Sequence, residues 1–253
     1  MNKVLLKKKY NYHKQPNLTY FLISGCISIF ILQVIFYYLY GSFSLQSIFS
    51  NYGFSLQNIL DGKYYTFVTS LFLHANPGHL ILNMIALYFF GKAIEEELGW
   101  KTLLMIFLLG GIIGNVFVLI ASFLGIMSPV IVTVGASGAI FALLGAAIFV
   151  KPLEFVFFPY IVPVPLILVA LIYIIFNITE FIAYLSSTSS SGIAYIAHIG
   201  GLIFGIIYGF KIEGEKKSLI ILLILLGLLI ITPFIWNYLQ VMDYSKILSS
   251  AFK

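Results

Sequence analysis

The sequence predicts an all-α fold, a polytopic helical bundle in a membrane, and three observations carry that prediction. Hydrophobic residues make up 61% of the 253 positions and charged residues 9%, more apolar surface than a soluble domain of this size can bury. Mean hydropathy is +1.05. The apolar residues fall into seven runs, read against the ~20 residues a helix needs to cross ~30 Å of hydrocarbon. All 14 basic residues are lysines, gathered at the ends of those runs.

In chain order, MNKVLLKKKYNYHK is a basic tail. The apolar stretch behind it is too long for a signal-peptide core, so a retained helix is expected. The spans are Leu18 to Tyr40, Pro77 to Phe90, Thr102 to Leu124, Val130 to Val150, Tyr160 to Leu185, Ile193 to Phe210 and Leu219 to Leu239. The second is short, and the fourth opens on polar and small residues. Three units follow: a cytoplasmic tail over 1–17, a six-helix domain over 18–210, and a linker, seventh helix and short tail over 211–253. Residues 41–73, rich in Phe and Tyr, read as helices lying in the outer interface, where aromatic rings favour headgroup level.

Orientation comes from the lysines, because short cytoplasmic loops carry the excess positive charge. With the N-terminus inside, Lys3, Lys7, Lys8, Lys9, Lys14, Lys92, Lys101, Lys151, Lys211, Lys216 and Lys217 are cytoplasmic; Lys63, Lys246 and Lys253 are not. The expected location is the cell membrane, with the C-terminus outside. The charge of +5 forms no groove, so nucleic acid is excluded as a partner. Cys26 is the single cysteine and can form no internal disulfide. No ligand clustering suggests a metal and no glycine motif suggests a nucleotide, so no cofactor is expected.

Polar groups inside spans are functional candidates, because an unpaired polar group in hydrocarbon costs several kcal/mol. His74, His79 and His198 fall in or beside spans; His13 lies in the basic tail. In HANPGHLILN, Asn76 is an N-cap and Pro77 a first helical residue. His79 and Asn83, four apart, then share one helix face. Gluing helices together is the competing role for that pair.

In VTVGASGAIFALLG, Ser137 lies about seven residues below the outer end of the fourth span, on the order of 10 Å. In IAHIGGLIFGIIYG, His198 lies about five residues, roughly 8 Å, below the outer end of the sixth. Topology thus stacks Ser137, His198, His79 and Asn83 in one outer layer. A serine hydroxyl needs a base within hydrogen-bond reach, and histidine suits the task. Gly135, Ala136, Gly138 and Gly145, facing Gly201, Gly205 and Gly209, would let the two helices approach closely. His79, Asn83 and the Ser137 N–H are candidate donors to an oxyanion.

With HANPGHLILNM, GASG around Ser137 and AHIGG around His198 in this order, the chain resembles the rhomboid intramembrane serine proteases over roughly Lys63 to Gly209. The resemblance implies Ser137 as nucleophile, His198 as general base in a dyad without an acidic third member, and an oxyanion site completed by His79 and Asn83. It implies that Phe141 packs on the histidine, that Glu95 helps anchor the first outer loop, and that the fifth helix with the Ser186 to Gly192 loop forms a substrate gate. Gly135, Gly138, Gly201 and Gly205 would support the site. Tyr65 and Thr66 stand where family members often carry Trp-Arg, which removes a guanidinium anchor from the loop. The seventh span resembles a helix appended in some members.

The other polar residues read as structural. Glu180 is taken as interfacial and Asn177-Ile-Thr179 as a glycosylation triplet that a helix makes unusable. Asn115 with Gly110, Gly111 and Gly114 reads as helix packing, and EEELG, Glu95 to Gly99, as a solvated cytoplasmic loop. The expected partners are transmembrane protein substrates and the lipid bilayer, with no oligomeric state indicated. Two alternatives stay open: a transporter, which needs a repeat symmetry not visible here, and a catalytically silent relative that binds membrane-protein clients.

Overall fold

The computed structural model describes residues 17–158, 162–185 and 193–241. The basic tail with His13, the Ser186 to Gly192 loop and the C-terminal tail with Lys246 and Lys253 lie outside the described residues, as does the Glu180 side chain. The chain is a helical bundle. Helix α1 spans Leu18–Tyr40, and short α2 (Ser42–Tyr52), α3 (Leu56–Leu60) and α4 (Thr66–Thr69) follow, with a 3-10 turn at Ser70–Phe72. Then come α5 (Pro77–Leu98), α6 (Trp100–Phe123), α7 (Ser137–Val150), strands β1 (Phe155–Phe158) and β2 (Val162–Pro165), α8 (Leu166–Leu185), α9 (Ile193–Glu213) and α10 (Glu215–Val241). Four of these, α1, α5, α6 and α9, are long and apolar enough to cross a membrane within the described residues. The protein is a multi-pass membrane protein.

Helix α5 starts as its sequence predicts: Asn76 Oδ1 accepts from the His79 N–H at 2.8 Å and Pro77 follows the cap. Its far end departs from expectation. The span runs two turns past Phe90, so EEELG is no loop, and Glu95 is buried. Its carboxylate accepts from Leu18 N at 2.5 Å, Thr19 N at 3.2 Å and Thr19 Oγ1 at 2.6 Å. Glu95 therefore caps α1, whose Asn17 makes no side-chain cap, and does not anchor the outer loop. The first N–H groups of a helix have no partner within it, and an anion there also meets the positive end of the helix dipole.

The fourth span begins late. Residues 130–134 are Val, Ile, Val, Thr and Val, stiff side chains that favour extended backbone. Here Phe54 and Thr133 exchange both backbone hydrogen bonds, at 2.9 and 2.7 Å. Gly135 turns the chain at φ 128°, and α7 starts only at Ser137. Ser137 therefore opens its helix and does not lie seven residues into it. Fourteen residues make a helix of about 21 Å, some 9 Å short of the ~30 Å hydrocarbon. Lys151 follows α7 and pairs with Glu96 at 3.2 Å and Glu154 at 3.1 Å. Burial pulls its ammonium down, but those two carboxylates outweigh it and hold it above the usual lysine value.

The fifth span is also shorter than Tyr160 to Leu185. Residues 155–158 and 162–165 form two antiparallel strands, pairing Phe155 with Pro165. Pro163 and Pro165 lack N–H donors and disfavour helical backbone at the residues before them, so α8 waits until Leu166.

Every residue of α7 is buried, within a bundle in which it packs on α5, α6, α8, α9 and α10. The α7–α9 contact is backbone on backbone. A Cβ on Gly201 would sit 2.0 Å from the Gly138 carbonyl oxygen, and one on Gly205 2.0 Å from that of Ala142.

Candidate active site

Three helices and one extended segment converge at the start of α7. Ser137 is the first residue of α7, so its N–H belongs to the turn that the helix cannot satisfy internally. Two residues earlier, the space a Gly135 Cβ would fill lies 2.8 Å from His79 Nε2 and 3.5 Å from Asn83 Nδ2. One turn later, the Phe141 ring stacks on the His198 ring at 4.4 Å between centroids and 6° between planes. His79 and Asn83 from α5 therefore reach α7 just before Ser137, and His198 from α9 reaches it just after. The residues singled out in the sequence thus lie around the start of α7: His79 and Asn83 against Gly135, His198 against Phe141, and Gly201 against Gly138.

Two buried polar atoms in this cluster have no hydrogen-bond partner: His198 Nε2 and Asn83 Nδ2. Buried polar atoms are nearly always paired, so such orphans mark places where a ligand or reacting group is expected. Ser137 and His198 are both buried, at 9% exposure each. Beside Ser137 lies a cavity of about 20 Å³, lined in part by Ser70, Asn115, Thr133 and Gly135. That is room for one water molecule among polar partners.

The segment over 41–73 is tied to this arrangement by hydrogen bonds, without a guanidinium. Asn115 Nδ2 donates to Phe67 O at 3.0 Å and to Ser70 Oγ at 3.1 Å, so Asn115 ties the 41–73 segment to α6 and is more than a helix-packing residue. Gly135 N donates to Ser70 O at 2.9 Å, and Thr69 Oγ1 to Tyr52 O at 2.7 Å. Thr66 Oγ1 donates to Lys63 O, and the Tyr65 ring contacts that of Tyr52. His74 is buried between Gln33, which exchanges two hydrogen bonds with its backbone, and the His79 ring. Burial first, and then His79, lowers His74 to about 4, so it is neutral at pH 7.

One participant escaped the sequence. Asn177, read as part of an unusable glycosylation triplet, is 3% exposed on α8, and its Oδ1 lies 2.6 Å from His198 Nδ1. The signal existed in the helical pattern. Leu166, Ala170, Ile174 and Asn177 form one buried stripe, and Asn177 is the polar residue in it.

Comparison with known proteins gives a consistent result. Residues 61–214 match the Rhomboid domain. The chain is 34% identical over 174 residues to RHOMBOID-like protein 12, mitochondrial, of Arabidopsis thaliana, covering 63% of this chain and 49% of that protein. It is 30% identical over 195 residues to Rhomboid protease GluP of Bacillus subtilis, covering 76% of this chain and 34% of that one. It is 31% identical over 159 residues to Rhomboid protein 1, mitochondrial, of Saccharomyces cerevisiae, covering 58% and 41%. The chain spans between about a third and a half of the length of these relatives.

Proposed function

This chain belongs to the rhomboid family, and from that premise we propose that it is a serine endopeptidase cleaving transmembrane segments of other membrane proteins near the outer face of the bilayer. The observation that carries the proposal is the flanking of Ser137: His79 and Asn83 against Gly135 on one side, His198 against Phe141 on the other.

In this reading Ser137 Oγ attacks the scissile carbonyl carbon and its proton passes to His198 Nε2, the atom without a partner. The carbonyl oxygen becomes an oxyanion that accepts from Asn83 Nδ2, His79 and the Ser137 N–H. Removing one such donor costs an enzyme about 2.7–4 kcal/mol of transition-state stabilisation. Collapse breaks the C–N bond, and His198 returns the proton to the leaving amine. A water then gives its proton to His198 and attacks the acyl ester; as the C–O bond to Ser137 breaks, His198 returns that proton to Ser137 Oγ and the new carboxylic acid leaves and ionises. The supporting glycines keep α9 near enough for His198 to reach.

The catalytic unit in this proposal is 18–210, with 1–17 and 211–253 as appended segments. The N-terminus is cytoplasmic, the C-terminus outside and the cell membrane the site of action. A helical substrate hides its carbonyls in hydrogen bonds, so segments with Gly or Pro should be cut faster than poly-leucine segments; equal rates would remove that specificity claim.

The decisive test is Ser137→Ala in the full chain, reconstituted in lipid vesicles with a model transmembrane substrate and probed with a fluorophosphonate. Loss of both cleavage and labelling is expected. Labelling that persists in the alanine variant would overturn the assignment, and a wild-type chain that binds the substrate without cutting it would favour client binding.

A further inference from the structure

The contact between α8 and α9 gives His198 a partner on the side away from Ser137. Asn177 Oδ1 is a carboxamide oxygen and accepts, so the 2.6 Å contact pairs it with a neutral imidazole whose hydrogen sits on Nδ1. Nε2 then carries the lone pair, and Nε2 is the atom left without a partner. Neutral histidine has two tautomers, and the bond made by one ring nitrogen decides which is present.

The imidazole is also confined in the other directions. Phe141 covers one face in a parallel stack, and the Tyr195 ring meets it edge-on at 5.7 Å. These contacts fix the plane of the ring but do not choose between its nitrogens, since an aromatic surface meets either tautomer alike. Asn177 makes that choice. Its position supports a specific role, because Ile174, one turn before, is buried on the same stripe in an apolar setting. A carboxamide there would be costly to bury without the imidazole it meets.

We propose that Asn177 is a positioning residue that locks His198 in the tautomer with Nε2 free, keeping the base ready for the Ser137 proton. The inference rests on the Ser137 and His198 reading given above. During the reaction Asn177 neither gains nor loses a proton: the hydrogen on Nδ1 stays in its bond to Oδ1 while Nε2 takes and returns the serine proton. Because Asn177 rides on α8 while Ser137 and His198 ride on α7 and α9, the lock also makes the base sensitive to where α8 sits.

The test combines spectroscopy and kinetics on the full chain in lipid vesicles. With ¹⁵N-labelled histidine, and His198→Gln to assign the signal, wild-type His198 should show a protonated Nδ1 and an unprotonated Nε2 at neutral pH. The reverse tautomer, or an even mixture, overturns the proposal without reference to any variant. Asn177→Leu, close in volume, should lower kcat by about tenfold, the scale of one neutral hydrogen bond. KM should stay within about twofold, fluorophosphonate labelling should slow in parallel, and the ¹⁵N signal should become a mixture. Asn177→Asp keeps an acceptor at the same place and should retain most of the wild-type kcat. An unchanged kcat in Asn177→Leu, or a change confined to KM, rejects the positioning role. If Asn177→Leu does not fold, the wild-type tautomer and the Asn177→Asp rate decide. Failure of the underlying reading is separable: it appears as activity surviving in Ser137→Ala, whereas failure of this inference alone leaves Ser137→Ala inactive and Asn177→Leu normal.

Discussion

Helices α7 and α8 follow one another in the chain and are held in opposite ways. All of α7 is buried, and α9 meets it through glycines so closely that backbone touches backbone. Helix α8 is buried along one stripe, while Ile172, Phe176 and Ile182 stand 65%, 59% and 58% exposed on its other side. Interiors packed to crystal-like density resist displacement, so α7 and α9 can keep groups in register to a fraction of an ångström. A helix seated on one face can shift without dismantling the bundle. In our reading the reacting atoms sit on the enclosed pair and the helix with the exposed face supplies one orienting contact, which separates precision from access.

The strongest way to break this contrast is Gly201→Val. A Cβ there would lie 2.0 Å from the Gly138 carbonyl oxygen, which belongs to backbone and has nowhere to go. We expect cleavage to fall at least ~100-fold and stability to drop by about 3 kcal/mol, the upper range for overpacking, read by denaturant titration in mixed micelles. A variant with wild-type activity would show that α7 and α9 have slack.

Glu95→Ala tests whether the enclosed half depends on its remote capping. It leaves Leu18 N, Thr19 N and Thr19 Oγ1 without their acceptor. A loss of about 2 kcal/mol is expected, within the ~1–3 kcal/mol for a stranded buried group, with kcat per folded molecule unchanged. A selective loss of kcat would tie α1 to the chemistry.

Phe141→Leu removes the ring stacked on His198 while keeping an apolar side chain. A stack of this kind contributes about 0.5–1.5 kcal/mol, so kcat should fall by ~2- to 10-fold, measured with a saturating substrate. The smallest effect should come from Ile172→Ala on the exposed side of α8, within about 0.5 kcal/mol of wild type. A large destabilisation would mean that something covers that face.

Much of the framework was legible because its determinants are local. The apolar run of α1 has its observed bounds in the sequence, and Asn76-Pro77 announces the start of α5. The four-residue spacing places His79 and Asn83 on one face, and Gly201 and Gly205 mark the close contact with α7. What the sequence hid depends on partners far along the chain. Hydropathy alone merges the extended 131–134 segment with α7, because the valines that favour a strand are as apolar as the leucines of a helix, and the choice is made by Phe54. The paired strands before α8 are hidden in the same way, although Pro163 and Pro165 hint at them. Glu95 looks solvated within a run of acids until α1 packs beside it, and Asn177 looks idle until His198 arrives from 21 positions away.

The cap on α1 has a consequence for biosynthesis. The acceptor for Leu18 N lies 77 residues downstream. At ~5–20 residues per second, the ribosome takes roughly 4 to 15 s to deliver it. Throughout that interval α1 has an unfinished end, which only the arrival of α5 completes. Helix α1 is therefore made well before it is fastened, so a stalled or truncated nascent chain ending before Glu95 should leave α1 loosely seated and open to quality-control proteases.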